Sequence, residues 1–529
     1  MDVPPDLLAF LAVLCRGLFL TTEAFVIGGT GFLLALADPC SDRLGPAGPA
    51  IIERCGRWLF AGSAALLAVA GGNVLLGILN VQTSLDLTFD QSVGAEFVSW
   101  SLLSMAGGLI TLVSSGRRIF RAPLAMGILA ILAGSIMTSH ANARIEERTF
   151  FVIADALHQT GAGLWLGGIP FLLMALLEVS ERAHRVLVGS RYSAIATAAV
   201  GGLAVGALMM SIGYTGSVAA AIGTAYGAMM GGKLMLLSVL LMFGLLNNLC
   251  IRAAGAGGDA SMLRLRRFAE AEIGIGIAVL FAAATLATQP PSIDQMIDRA
   301  TVATWTEIVE RQTPRFPRLT SPPIEDISIP TDSSLAAEGT AADREWSEFN
   351  HNWAGLFVAF IGLLALADRS GKVPLARHWP LAFLLMAFML FVRSDPESWP
   401  SGPIPFFERL RDPEVMQHRL VTLVVALFGL FEWAVRTDRL KAGWARYCFP
   451  LLCAVGGALL LTHNHTLTDI KQRFLIEMTH IPMGVLGILA AWFRWLEIRG
   501  DAKAARLCGW LWPACFIVIG VLLVLYREA

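Results

Sequence analysis

Long apolar segments recur along this chain, and they constrain its fold more than any other feature of the sequence. Each approaches the roughly 20 residues that a helix needs to cross about 30 Å of hydrocarbon. Lipid offers no partner to free backbone groups, so segments this long favour helices over barrel strands. We therefore predict an all-α polytopic integral membrane protein with about 14 transmembrane helices in two bundles, eight and then six. The segments lie near residues 7–37, 57–80, 93–114, 119–139, 150–178, 192–213, 227–250, 268–288, 351–368, 379–394, 417–435, 445–462, 479–496 and 508–526.

A polar, proline-rich stretch separates the two sets of apolar segments. It predicts an eight-helix domain over residues 1–288, a periplasmic loop or linker over 289–349, and a six-helix membrane extension over 350–529. A short amphipathic helix is expected over Ile293–Val309. The stretch has two interpretations: it links two membrane halves, or it forms a lid over a site on the outer face.

The charge balance excludes some functions, and its distribution predicts the orientation. The chain has 40 Lys and Arg against 41 Asp and Glu, and 15% of its 529 residues are charged. That balance argues against a nucleic-acid-binding protein, and membrane lipid is the expected surrounding. With the N-terminus outside, seven inner loops hold 24 Lys and Arg, whereas five short outer loops hold 8. Because basic residues concentrate in cytoplasmic loops, both termini are predicted to be periplasmic.

Histidines concentrate on the predicted outer face. Seven of the nine lie at outer helix ends or in outer loops. Imidazole is the commonest metal-ligand side chain, so the set predicts metal binding. The alternative is that these histidines cap helix ends at the membrane interface. The seven are His140, His158, His351, His418, His463, His465 and His480.

Two of the histidine-bearing segments resemble each other. Residues 137–168 and 461–487 each place a histidine before a polar turn and another on the returning helix. The returning helices carry Asp155 three residues before His158, and Glu477 three residues before His480. Residues three apart share a helix face, so each acid is expected to orient the imidazole or to bind the metal itself. The pattern predicts an internal repeat with a site in each copy.

Methionines beside these histidines indicate the metal. Met137, Met416 and Met478 each lie within three residues of an outer histidine. Thioether and imidazole together suit Cu(I) or Cu(II), although methionine also fills gaps in apolar packing. We add Met137 and Met478 to the seven histidines as candidate copper ligands, with Asp155 and Glu477 as their supporting acids.

Four sequence motifs resemble the copper-resistance protein D (CopD) family. They are SHANA at 139–143, DALHQTGAGLWLGG at 155–168, TAYGAMMGGKLMLL at 224–237 and LRRFAEAEIGIGIAVLFAAATLATQPP at 265–291. The resemblance implies a bacterial inner-membrane protein with an eight-helix bundle that moves copper inward from the periplasm. It also implies copper-site roles for His140 and His158. The extension over 350–529 resembles extensions fused to some proteins of this type.

Three functions compete at this point. The first is a copper-binding permease, which is a transporter and not an enzyme. Since the sequence has no phosphate-binding loop, nucleophile elbow or HExxH motif, an ATP-driven pump is not expected. The second is a membrane oxidoreductase in which the outer histidines hold haem or redox copper. The third is a non-transporting protein that donates copper to a periplasmic chaperone.

Overall fold

A computed structural model of the protein describes residues 5–116, 120–255, 260–295, 299–312, 316–327, 340–410, 413–462 and 470–527. These residues form helices joined by turns, together with one isolated bridge between Ser398 and Ile404. The prediction of an all-α polytopic membrane protein is confirmed. Internal contacts divide the chain into two units, Met1–Ile297 with Leu461–Thr466, and Asp298–Leu460 with Leu467–Ala529. The predicted domain boundaries at 288 and 350 stay predictions.

The described residues of the first unit form eight long helices. α1 packs against α2, α5 and α8, while α3 pairs with α4, α5 with α6, and α7 with α8. Their bounds are α1 Pro5–Phe32, which continues through a π-helical turn Leu33–Ala37, α2 Ala47–Leu85, α3 Glu96–Ser114, α4 Arg121–Met137, α5 Arg148–Leu166, which is followed by Ile169–Glu178, α6 Arg182–Thr215, α7 Ala225–Gly255 and α8 Ala260–Leu286.

The later part of the chain contributes six more long helices. α9 packs against α14, α13 against α14, and α10 against α11. Their bounds are α9 Ala341–Ser370, α10 Ala382–Arg393, which follows a 3-10 helix Pro374–Leu381, α11 Pro413–Arg436, α12 Cys448–Thr462, α13 Ile470–Arg499 and α14 Ala502–Val524.

The number of membrane spans agrees with the prediction of about 14. Among the described residues, 13 helical segments are long and apolar enough to cross a membrane. The predicted span near 119–139 is observed as α4, which is apolar but has only 17 residues. At 1.5 Å per residue α4 is about 26 Å long.

The polar stretch contains a helix that begins later than predicted. The expected helix over Ile293–Val309 is observed as Val302–Gln312, preceded by a single 3-10 turn at Ser292–Asp294. At the start of the helix the Thr301 hydroxyl accepts a hydrogen bond from the Thr304 backbone N–H at 3.3 Å. Such a hydroxyl satisfies one of the free N–H groups of the first turn, which explains the later start.

Aromatic rings in mutual contact fill the core of the second unit. Trp379, Phe449 and Trp512 are almost fully buried, and the rings of Trp379 and Phe449 meet edge-on with centroids 5.5 Å apart. The Glu497 carboxylate accepts hydrogen bonds from Trp512 Nε1 at 2.7 Å and from an Arg494 guanidinium nitrogen at 2.6 Å. Buried charges in this unit are therefore held by both ionic and aromatic groups.

Glycines allow the closest helix contacts of the first unit. A Cβ added to Gly167 would lie 1.7 Å from the Ala24 carbonyl oxygen, and one added to Gly28 would lie 2.1 Å from the Gly167 carbonyl carbon. Such separations are impossible, so α1 and the end of α5 meet backbone to backbone. Small residues permit this approach in membrane bundles.

We predict that Gly167→Ala destabilises the protein, because the new methyl group forces α1 away from α5. Overpacking of this kind costs about 1–3 kcal/mol. Gly201→Ala in α6 is the matched control, since its Cβ would meet nothing within 4 Å. Denaturant unfolding in mild detergent measures both variants, and equal midpoints for the two would contradict the contact.

Candidate copper site and buried polar clusters

Asp155 lies at the centre of a polar cluster between the helices of the first unit. Its side chain is only 7% exposed. Its Oδ2 accepts hydrogen bonds from Ser139 Oγ at 2.7 Å and from Gln159 Nε2 at 2.9 Å. Gln159 is four residues further along α5, while Ser139 precedes the short helix His140–Ala143 and also caps it through the Ala141 N–H. The turn before α5 thus positions the carboxylate.

Charged groups from two further helices interact with Asp155. Arg16 of α1 and Lys233 of α7 both interact electrostatically with this carboxylate. Arg16 also interacts with Glu23, which is 3% exposed and accepts a hydrogen bond from Ser135 Oγ at 3.1 Å. We call Arg16, Glu23, Asp155 and Lys233 the Asp155 cluster. Ionisable groups inside a membrane bundle are costly and commonly mark ion pathways.

His158 lies next to this cluster, on the face of α5 that packs against α6. Its Nδ1 donates to the Leu203 carbonyl at 3.4 Å. A Cβ added to Gly206 would lie 2.8 Å from the His158 backbone nitrogen, so the two helices are in close contact here. Because a carbonyl can only accept, Nδ1 carries the proton and Nε2 keeps the lone pair that a metal requires. The orienting role predicted for Asp155 stays a prediction, since Ser139 and Gln159 are the groups that hydrogen-bond to it.

His140 is exposed at the end of the same unit. Its Nε2 donates to the Ala287 carbonyl at 2.6 Å, which leaves the lone pair on Nδ1. Met137 is half-buried, and its carbonyl accepts a hydrogen bond from Asn142 Nδ2 at 2.8 Å. Both residues flank the turn that positions Asp155, and the His140 ring has a different hydrogen-bonding partner from His158.

The predicted histidines of the second unit have separate partners. His351 Nδ1 donates to the Ser347 carbonyl at 2.8 Å, and its ring stacks on Tyr526 with centroids 4.0 Å apart. His418 Nδ1 lies 2.7 Å from the Asp395 carboxylate, which is 3% exposed.

The second half of the predicted repeat is described only in part. His480 Nδ1 donates to the Ile476 carbonyl at 2.9 Å. Glu477 is buried, and Met478 is half-buried. His463 and His465 lie outside the described residues.

The predicted ligands do not form a preassembled cage. In the parts of the chain that the structure describes, no three His, Cys, Asp or Glu side chains are arranged to hold a metal ion. The copper-site residues therefore stay predictions. What the structure adds is that backbone carbonyls orient His140, His158 and His480.

A further buried acid of the first unit, Glu272, was not assigned partners by the sequence analysis. Glu272 of α8 is 2% exposed, and its two carboxylate oxygens accept hydrogen bonds from different helices. Trp165 Nε1 of α5 donates to Oε1 at 2.8 Å, and Asn247 Nδ2 of α7 donates to Oε2 at 2.6 Å. We call Trp165, Asn247 and Glu272 the Glu272 triad. In the sequence, the polar residues Glu272 and Asn247 stand out because they lie in apolar segments. That they contact each other and Trp165 follows only from the packing of the helices.

A family model matches the region that contains the Glu272 triad partners Asn247 and Glu272. Residues 185–286, which include Lys233, Asn247 and Glu272, match the family model described as copper resistance protein D. The copper transport protein CutJ of Bacillus subtilis (strain 168) is 31% identical over 163 residues, which are 30% of this chain and 29% of that protein. The match thus spans less than a third of this curated relative. No solved structure matches the chain.

We predict an energetic coupling between Asp155 and Lys233. Asp155→Leu alone leaves the buried Lys233 ammonium without its carboxylate and lowers the stability of the protein. Lys233→Leu alone leaves the Asp155 carboxylate without its ammonium and lowers the stability as well. The double variant is expected to be more stable than the sum of the two losses implies, by about 1–3 kcal/mol. Denaturant unfolding of the four proteins in mild detergent measures the coupling, and strictly additive losses would show that the pair does not interact.

Proposed function

This chain carries a CopD-family domain at residues 185–286, and from that premise we propose that it is a copper permease of a bacterial inner membrane. The family resemblance predicted from the sequence is confirmed over that region. The proposed protein captures copper on its periplasmic face and moves it toward the cytoplasm. The observation that carries the proposal is the Asp155 cluster, which places two acids and two bases inside the helix bundle that holds His140 and His158.

The proposed entry site uses soft donors at the periplasmic end. His140 and His158 each have one ring nitrogen bound to a backbone carbonyl, so the other can accept copper. Thioether and imidazole suit copper ions better than they suit Mg²⁺ or Ca²⁺. Met137 lies in the same turn as His140. We assign this end of the protein to the periplasmic side because the predicted inner loops hold the excess of Lys and Arg.

The Asp155 cluster supports the next part of the route. It contains the opposite charges of Arg16, Lys233, Glu23 and Asp155, so it is compensated when no copper is bound. One carboxylate oxygen of Glu23 is buried without a hydrogen-bond partner among the described residues. An incoming copper cation is attracted to the two acids, while the two bases keep the empty state tolerable in a low-dielectric interior.

The proposal extends to the second unit through its histidines. His351, His418 and His480 are oriented by a carbonyl, a carboxylate and a carbonyl, respectively. We include them as further copper contacts, with His463, His465 and Met478. A periplasmic copper chaperone is the proposed donor of the ion.

We predict that His158→Ala lowers cellular copper accumulation about tenfold or more, because an oriented imidazole is lost at the entry site. His480→Ala tests the second unit in the same assay. His184→Ala is the matched control, since its Nδ1 lies 3.5 Å from the Glu181 carboxylate and it belongs to a predicted inner loop. Copper is measured by elemental analysis of cells that express equal amounts of each protein.

Unchanged accumulation in the His158 variant, the His480 variant and the double variant would overturn the proposal. An optical spectrum of the purified protein separates the oxidoreductase alternative, because bound haem gives a Soret band. The permease is expected to bind copper and to lack that band.

A further inference from the structure

Glu272 differs from Asp155 in what compensates its charge. Arg16 and Lys233 interact electrostatically with Asp155, whereas neutral groups provide both hydrogen bonds to Glu272. Tyr192 of α6 is the titratable group that interacts electrostatically with Glu272 within the described residues. An ionised carboxylate without a counter-charge is expensive in a membrane interior. The site therefore favours binding of a cation.

The donor set identifies that cation. The indole N–H of Trp165 can only donate, so it cannot bind a metal. Oxygen atoms from Glu272 and Asn247 do not suit copper, and two side chains supply too few oxygens for Ca²⁺ or a similar hard cation. A proton needs only one oxygen and an acceptor for the new O–H. The triad contains both.

Asn247 supplies that acceptor. Its Oδ1 is buried without a hydrogen-bond partner among the residues that the structure describes, while its Nδ2 donates to Glu272. When Glu272 is ionised, it accepts from Trp165 and from Asn247 Nδ2. When a proton binds Oε2, rotation of the amide turns Oδ1 toward the new O–H, which then donates to it. Both protonation states are thus hydrogen-bonded, with Trp165 as the fixed donor.

Other charged groups near α8 are engaged elsewhere. Glu270 and Arg267 on the same helix form an ion pair with each other, and Arg266 donates to the Leu176 carbonyl at 2.6 Å. On the neighbouring α7, Lys233 and Asn247 are 14 positions apart in the sequence, which is about 21 Å along a helix. Glu272 therefore lies at another depth than the Asp155 cluster.

We propose that the Glu272 triad is a proton-binding site and that its proton is the coupling ion of the copper permease. The coupling rests on the proposed function; the proton binding does not. A proton from water binds Oε2 of the carboxylate to give the carboxylic acid, and its release to water restores the carboxylate. No other bond is formed or broken.

Infrared difference spectra of the full-length protein between acidic and alkaline buffer test the proton binding. The wild type is expected to show a carboxylic-acid C=O stretch that Glu272→Gln, which keeps the shape, lacks. Glu270→Gln is the matched control on the same helix, and it is expected to retain the band. Asn247→Ala is expected to shift the band, because the O–H loses its acceptor. A band that persists unchanged in Glu272→Gln, or is equally lost in Glu270→Gln, would overturn the proton site.

Copper uptake into proteoliposomes with and without a pH gradient tests the coupling. The gradient is expected to stimulate uptake by the wild type and by Glu270→Gln but not by Glu272→Gln. Stimulation that persists in Glu272→Gln would overturn the coupling. If the wild type takes up no copper, the permease fails, and the infrared result still decides the proton site. Size-exclusion chromatography confirms that each variant is folded.

Discussion

The structure depends on the rule that a charge removed from water must find compensation inside the protein. The hydrocarbon interior supplies none, so buried ionisable groups are tied to protein partners on their own or on neighbouring helices. Arg16 and Lys233 compensate Asp155, and Arg494 together with Trp512 holds Glu497 in the second unit. These interactions fix which helix faces meet, since a rotated helix would leave a charge unpaired. These interactions therefore favour one arrangement of the helices over others, in addition to stabilising the fold.

Two buried acids in the first unit follow different versions of this rule. Asp155 interacts electrostatically with Arg16 and Lys233, and its hydrogen bonds come from Ser139 and Gln159. Glu272 has only neutral donors. The first arrangement offers a carboxylate positive counter-charges, whereas the second offers it only neutral hydrogen-bond donors. Under the proposed function, the Asp155 cluster interacts with the transported copper ion, and Glu272 binds the proton that is coupled to transport.

The sequence predicted the helices well because the length of an apolar run is a local property. It also predicted that Asp155 and His158 share one face of α5, since that follows from helical periodicity. It did not predict their partners. Ser139 and Leu203 lie on other segments, and their positions depend on how α5 and α6 are rotated and packed. The Glu272 triad joins three helices, a relation that periodicity does not contain. The helix at Val302 began later than its apolar pattern predicted, because the cap at Thr301 sets its start.

The short helix α4 has a consequence for the membrane around it. At about 26 Å it falls several ångströms short of the hydrocarbon thickness, and local thinning of the bilayer is one way in which such a mismatch is accommodated. Ser135, which binds Glu23, lies in its last turn. Thinner lipid beside that turn brings headgroups and water closer to the buried acids of the first unit. An ion approaching those acids would then cross a shorter dielectric barrier than the full bilayer presents.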